Sequence, residues 1–366
     1  MKILALSSYP IESAATRCRV AQYIEPLKSK GIEIELSPFL NSDAFGDFYA
    51  SGKFASKSAA LLLGLAKRIR DVARCGSFDA LLVQREVMLF GPEIFEWLIS
   101  ELRGLPLILD LDDATYIPYE SPTFGRAGSL LKAFGKTDRL IARARTVICG
   151  NRFIAEYVTA RGGSPVIIPT VVDETVFKPI ERTDSIPIIG WIGTHSTFPM
   201  LESLFPVLTR IAKKYEFILK VVGSGRRNVK VEGVKVENLK WNLDEEPRQF
   251  ASLDIGLYPI VVSPSASSDW INGKSGFKAI EYMASGVSFV MSPVGICKEL
   301  GEAGITHLNA TDLESWHSSL VQLLESADMR RSMGKAGRIH FLQNFTLSQW
   351  SNVMARTISD SVNISV

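Results

Sequence analysis

The sequence predicts an α/β protein made of two parallel-sheet domains, and three observations carry that expectation. The chain has 366 residues, more than one ordinary hydrophobic core holds, so two domains are the natural division. Short apolar runs alternate with longer stretches of helical periodicity, the pattern of a parallel sheet covered on both faces. A break, "PVIIPTVVDETVFKPIERTDSIP" at 165–187, carries four prolines and little helical pattern, and the alternation restarts after it.

In the first half, residues 3–6 read as a buried strand, and 17–29 as a helix with Val20, Ile24 and Leu27 on one face. Residues 32–36, 80–84, 106–109 and 146–149 read as strands, and 59–73 and 92–102 as helices. In the second half, strands are expected at 188–192, 217–222, 255–258 and 288–291. Helices are expected at 199–215, 313–326 and 329–344, with a last one from near 348. Ligands of open parallel sheets sit outside the carboxyl ends of the strands, so the expected site is a cleft between the two sheets.

Composition narrows the function classes. Apolar residues make up 46% and charged residues 22%, as in a soluble globular protein, and the net charge of +2 gives no global attraction to nucleic acid. Cys18, Cys75, Cys149 and Cys297 lie far apart without C-x-x-C spacing, and there are four histidines. That is no zinc pattern, and free thiols packed as small apolar groups fit a reducing cytoplasm. The opening "MKILALSSYP" is too short for a leader, and no apolar run approaches the roughly 18 residues of a membrane span.

The strand ends carry the candidate chemistry. "GWIGTHST" places Gly193 and Thr194 after a buried strand. Such a turn can offer backbone N–H groups to a phosphate, or be an ordinary strand-to-helix turn. "VVGSGRR" repeats the theme with Gly223 and Gly225. The stretch "GKSGFKAIEYMASGVSFVMSPVG", 273–295, says more. Ser275 can cap a helix from about Gly276 to Ser285, with Gly286 as its stop. Lys274 and the helix start then face one point, with Lys278 a turn along, which suits a diphosphate. Glu281 lies further on and can accept two hydrogen bonds from a vicinal diol such as a ribose. The same pattern also fits a solvated helix with surface lysines.

"GKSGFKAIEYMASGVSFVMSPVGICKEL" resembles the donor-binding segment of the retaining glycosyltransferases of family 4, the group 1 family, which have the GT-B fold. "VICGNRFIAEYV", "VIIPTVVDETVFKP", "IGWIGTHST", "LKVVGSG", "LDIGLYPI" and "MRRSMGKAGRIHFLQNFTLSQW" resemble further family segments in the expected order. Thr146 to Trp350 is covered densely, the first half more loosely. The resemblance implies an acceptor-side domain over 1–165, a nucleotide-sugar domain over 166–345, and a C-terminal helix over 346–366 crossing back to the first domain. It implies sugar transfer from a nucleotide-diphosphate donor with retained configuration, without a metal or other cofactor. The acceptor would be a glycan or a lipid-linked saccharide, in polysaccharide or lipopolysaccharide synthesis.

Glu281 matches the second of the family's two glutamates, whereas the first falls at Gly273. Thr194 stands where the family has an arginine, and Pro199 roughly where it has a lysine. Lys274 and Lys278 would then supply the missing positive charge and act as the catalytic cations. Trp241 is a candidate for stacking on the base, or a packed core residue. On the acceptor side, "LILDLDDATY" clusters Asp110, Asp112 and Asp113 at a strand end. Asp113 is the candidate working acid. Asp112 would orient a hydroxyl or cap a turn. Arg17 and Arg19 follow the first strand and can reach a ligand, with a surface position favoured for Arg19.

The segment "GKFASKSAALLLGLAKRIRDVARCG" carries Lys53, Lys57, Lys67, Arg68, Arg70 and Arg74 against Asp71. Leu61, Leu62, Leu63 and Leu65 lie among them. It could rest on an anionic membrane surface; the favoured reading puts the leucines in the core. Two other functions compete with transfer: a non-catalytic nucleotide-sugar-binding relative, motivated by the missing glutamate and basic pair, and a sugar epimerase of the same fold.

Overall fold

The computed structural model describes residues 1–48, 52–118, 131–181, 186–260 and 268–363; the part of the proline-rich break at 182–185 lies outside them. The chain divides into two compact units, Met1–Thr170 together with Leu347–Val366, and Val171–Thr346. Each is built on a six-stranded sheet.

The first sheet holds β1 (Lys2–Ser7), β2 (Glu33–Pro38), β3 (Ala80–Gln84), β4 (Leu107–Leu111), β5 (Thr146–Cys149) and β6 (Pro165–Ile167). All pairs are parallel, in the order β2-β1-β3-β4-β5-β6. Every residue of β3, β4 and β5 is buried, which is why they read as unbroken apolar runs. The register sets Ser7 beside Gln84 and Gln84 beside Asp110, so polar residues gather at the carboxyl ends. Leu81, Val83, Leu107 and Leu109 pack against Leu140, Ile141, Ile154 and Val158 of the covering helices. The helix Leu347–Asn363 belongs to this unit. Its Ser361 hydroxyl donates to Thr146 Oγ1 at 2.8 Å, and Lys30 Nζ donates to Asn352 Oδ1 at 2.6 Å.

The second sheet holds β7 (Ile188–Ile192), β8 (Ile218–Val222), β9 (Lys235–Leu239), β10 (Ile255–Tyr258), β11 (Ser288–Met291) and β12 (Leu308–Asn309), all parallel, in the order β12-β11-β10-β7-β8-β9. Strand order reverses between β1 and β3 in one sheet and between β7 and β10 in the other. Such reversals open a crevice beyond the strand ends, where open α/β sheets take their ligands.

Several elements differ from the sequence reading. β6 lies inside the proline-rich break. The helix expected at 17–29 is interrupted at Val20, whose φ of −128° leaves the helical region, giving Ala14–Arg19, a 3-10 turn Ala21–Tyr23, and Ile24–Lys28. Residues 199–215 form two helices, Phe198–Glu202 and Phe205–Ala212, the second restarting with a proline in its first turn.

The helix Phe54–Arg74 is also turned differently than expected. Its inward residues are Ala60, Gly64, Arg68 and Asp71, at helical spacing. A side chain at Gly64 would meet the Phe39 ring at 2.7 Å, so the helix lies too close for a leucine there. Arg68 and Asp71 are fully buried. Arg68 donates from Nε to Val87 O at 3.0 Å, from Nη2 to Ser7 O at 2.7 Å, and from Nη1 to Asp71 at 2.9 Å. Of the leucines expected in the core, Leu61 packs against the Phe39 and Leu40 cluster, whereas Leu62, Leu63 and Leu65 face outward, with Leu62 and Leu63 67% and 66% exposed.

Candidate functional site

In the second unit, the site is assembled from the ends of β7, β8 and β10 and from the helix Phe277–Ala284. Gly223 is the close-packing point of the first two ends. Its φ is +78°, and a Cβ there would fall 2.1 Å from the Gly193 carbonyl oxygen. Gly223→Ala is therefore expected to destabilise the protein by about 1–3 kcal/mol, read as a lower urea midpoint.

The backbone cradle expected from Gly193 and Thr194 is not presented to a ligand. Gly193 N–H donates to Val222 O at 3.0 Å, and Thr194 N–H to the Thr197 hydroxyl at 3.2 Å, because ladder and turn take both donors. The turn offers side chains instead: Thr194, His195 and Ser196 are exposed, with Thr194 Oγ1 2.8 Å from Ser196 Oγ. Gly225 is exposed on the neighbouring loop, where a Cβ would lie 2.7 Å from that of His195.

The helix start also differs. Its N-cap is Gly276, at φ +65° and without a side-chain cap, so Ser275 does not cap it. Leu300 explains the choice, since a Cβ on Gly276 would lie 2.4 Å from its Cδ1. The end is as read: Gly286 at φ +67° stops the helix, with Val287 N–H returning to Tyr282 O at 3.0 Å.

Lys278 is the centre of this arrangement. It is half-buried, and its Nζ lies 5.7 Å from the ring centroids of both Trp191 on β7 and Tyr258 on β10, which places it over the strand reversal. Desolvation brings its pKa down to about 8; Glu281 opposes that fall, Lys274 adds to it, and Glu246 opposes it. Glu281, one turn along, is only 3% exposed. Lys274 Nζ lies 3.7 Å over the Trp270 ring. Trp241 is half-buried against the core and donates its indole N–H to the buried Glu246 at 2.8 Å. Sequence reasoning missed Trp191, Tyr258 and Glu246 as neighbours of Lys278, because only the fold brings them to it, and it missed Trp270 beneath Lys274.

In the first unit, the aspartates at the end of β4 and just beyond it divide sharply. Asp110 is buried and meets Arg19 at 2.7 Å (Nη2) and 3.0 Å (Nε), and Arg19 Nη1 donates to Ile168 O at 2.8 Å. Arg19 is 1% exposed, not the surface residue expected. Asp112 is held by Arg85, Nε at 2.6 Å and Nη2 at 2.7 Å. Burial alone would push the Asp112 carboxyl up, but the guanidinium outweighs it and holds the carboxyl below its ordinary range. Arg85 has φ +62°, and Glu86 N–H donates to Gln84 O at 2.8 Å across it, a tight three-residue turn of the strained kind found near functional sites. Asp113 alone of the three reaches solvent, with its Oδ2 4.0 Å from Arg85 Nη2. Arg17 is half-buried and donates to Ile11 O at 3.2 Å and Glu12 O at 3.3 Å. Among the described residues, no group of three or more histidine, cysteine, aspartate or glutamate side chains is placed to hold a metal ion, and no helix is long and apolar enough to cross a membrane.

Two parallel-sheet units of this topology define the GT-B fold class, and solved structures agree. The Anabaena protein HepE in complex with UDP-glucose is similar with a TM-score of 0.69 and 17% identity, covering 98% of this chain and 100% of its own. The sucrose-phosphate synthase of Thermosynechococcus elongatus gives 0.71 and 14%, covering all of both chains. A glycosyltransferase from Rickettsia africae gives 0.70 and 14%, covering 100% of this chain and 99% of its own. Residues 186–326, within the second unit, match the model of the family described as Glycosyl transferases group 1. No curated protein matches the chain.

Proposed function

We propose that this protein is a retaining glycosyltransferase that takes a sugar from a nucleotide-diphosphate donor. The group 1 family match and the GT-B neighbours support sugar transfer. The observation that carries the reading is Lys278, a half-buried cation of lowered pKa at the β7/β10 reversal, with Lys274 beside it and Glu281 one turn away. A half-desolvated ammonium gains most from an anion, and the departing diphosphate is the anion whose charge grows in the transition state. Lys274 and Lys278 would stabilise that charge. Glu281 would accept from the ribose, and Trp241 would border the base. Gly193, Thr194, Gly223 and Gly225 would wall the sugar-diphosphate. Asp113 would meet the acceptor hydroxyl, a glycan or lipid-linked saccharide, with Asp112 and Arg17 placing it. The reaction would need no metal.

A thermal-shift screen with UDP-, GDP-, ADP- and TDP-sugars tests this, beginning with UDP-glucose. A donor at 100 times its dissociation constant adds about 2.7 kcal/mol of stability. Affinity should also depend on pH with a definite sign. Free Lys278 is cationic below about 8 and neutral above it, and a bound diphosphate raises its pKa. The dissociation constant should therefore be flat below about pH 8 and rise above it, by up to about tenfold per unit. Calorimetric titration at several pH values reads this out, and a flat profile through pH 9 would remove Lys278 from the diphosphate site.

A further inference from the structure

The helix Phe54–Arg74 runs for 21 residues, about 32 Å at the α-helical rise, and among the described residues its outward face stands exposed. Leu62, Leu63 and Ile69 are 67%, 66% and 63% exposed, and Leu65 is exposed beside them. Ala59 and Ala66 continue the same face. A soluble monomer seldom leaves four large apolar side chains side by side in water.

The charges on the helix are as one-sided as its apolar stripe. Its one carboxylate, Asp71, is fully buried and taken by Arg68 at 2.9 Å and by Arg74, also at 2.9 Å. What the helix and its N-cap turn toward solvent is cationic, with Lys53 and Arg70 exposed and Lys57 half-buried. A two-fold contact between copies through this face would set cation against cation. Nucleic acid would leave the leucines unsatisfied.

We propose that this face rests on an anionic phospholipid bilayer. Leu62, Leu63, Leu65 and Ile69 enter the headgroup–acyl boundary, and the flanking cations meet lipid phosphates. The helix lies in the plane of the interface and does not cross it. The inference stands apart from the glycosyltransferase reading, since donor binding belongs to the other unit and is measured separately.

The test is flotation of the full chain with vesicles of phosphatidylcholine alone and of phosphatidylcholine mixed with phosphatidylglycerol. The protein is expected to float with the anionic vesicles and to be released by added salt. Leu62→Ser with Leu63→Ser and Ile69→Ser should lower the partition at least about a hundredfold. Arg70→Glu should lower it about tenfold. Both variants should keep the wild-type circular dichroism and thermal midpoint, because the replaced side chains point into water. Three results overturn the proposal: no flotation of the wild type, equal flotation with neutral vesicles, or a stable dimer by light scattering that the same serines dissolve.

Discussion

Lys278→Met is expected to cut donor-dependent turnover by about 10²-fold or more while making the protein more stable. The loss follows from removing the cation best placed to meet the leaving diphosphate, a contribution of about 3 kcal/mol in comparable electrostatic sites. The gain follows from the lowered pKa. An unfolded lysine titrates near its ordinary value of 10.5 and the folded Lys278 near 8, so between these pH values the unfolded chain binds more protons. Stability of the wild type therefore rises as pH climbs from about 8 toward 10.5, and the cost of holding the ammonium is fully present below 8. Methionine fills similar space without that cost. The rise in thermal midpoint should be largest at neutral pH and shrink as pH approaches 10.5. A variant that loses stability while turning over normally would make Lys278 a packing residue.

The largest stability effect is expected in the first unit, in the Arg19–Asp110 pair. Both side chains are buried, at 0% and 1% exposure. Arg19→Met leaves the Asp110 carboxylate and the Ile168 carbonyl without their donor, and should cost about 3–5 kcal/mol in urea denaturation. Adding Asp110→Leu should recover much of that loss, because replacing both members of a buried pair is far cheaper than orphaning one. The exposed Arg210–Glu314 pair, at 2.6 Å, is the contrast: water and salt screen it, so removing it should leave the urea midpoint essentially unchanged.

The alternation of strands and helices was legible because a strand buried on both faces leaves an unbroken apolar run, as β3, β4, β7 and β10 do. β6 and β12 left no such trace, being three and two residues long, and β6 begins with a proline. Lys278, Glu281 and the stop at Gly286 were legible because they belong to one helix and its end, where spacing alone puts them in order. The partners of Lys278 were not, since Trp191, Glu246 and Tyr258 come from three other segments. Arg19 misled for the same reason. Its ion pair spans 91 residues of sequence, and nothing local distinguishes it from a surface arginine. Leu62, Leu63 and Leu65 of the helix Phe54–Arg74 misled differently: a run of leucines argues for burial, yet the facing Phe39 ring admits only a glycine.

The return of Leu347–Asn363 to the first sheet has a consequence for biosynthesis. A nascent chain leaving the ribosome would finish the later lobe before the earlier one, whose Thr146 and Lys30 wait for partners translated some of the last. Premature termination just short of that segment would thus damage the half synthesised first.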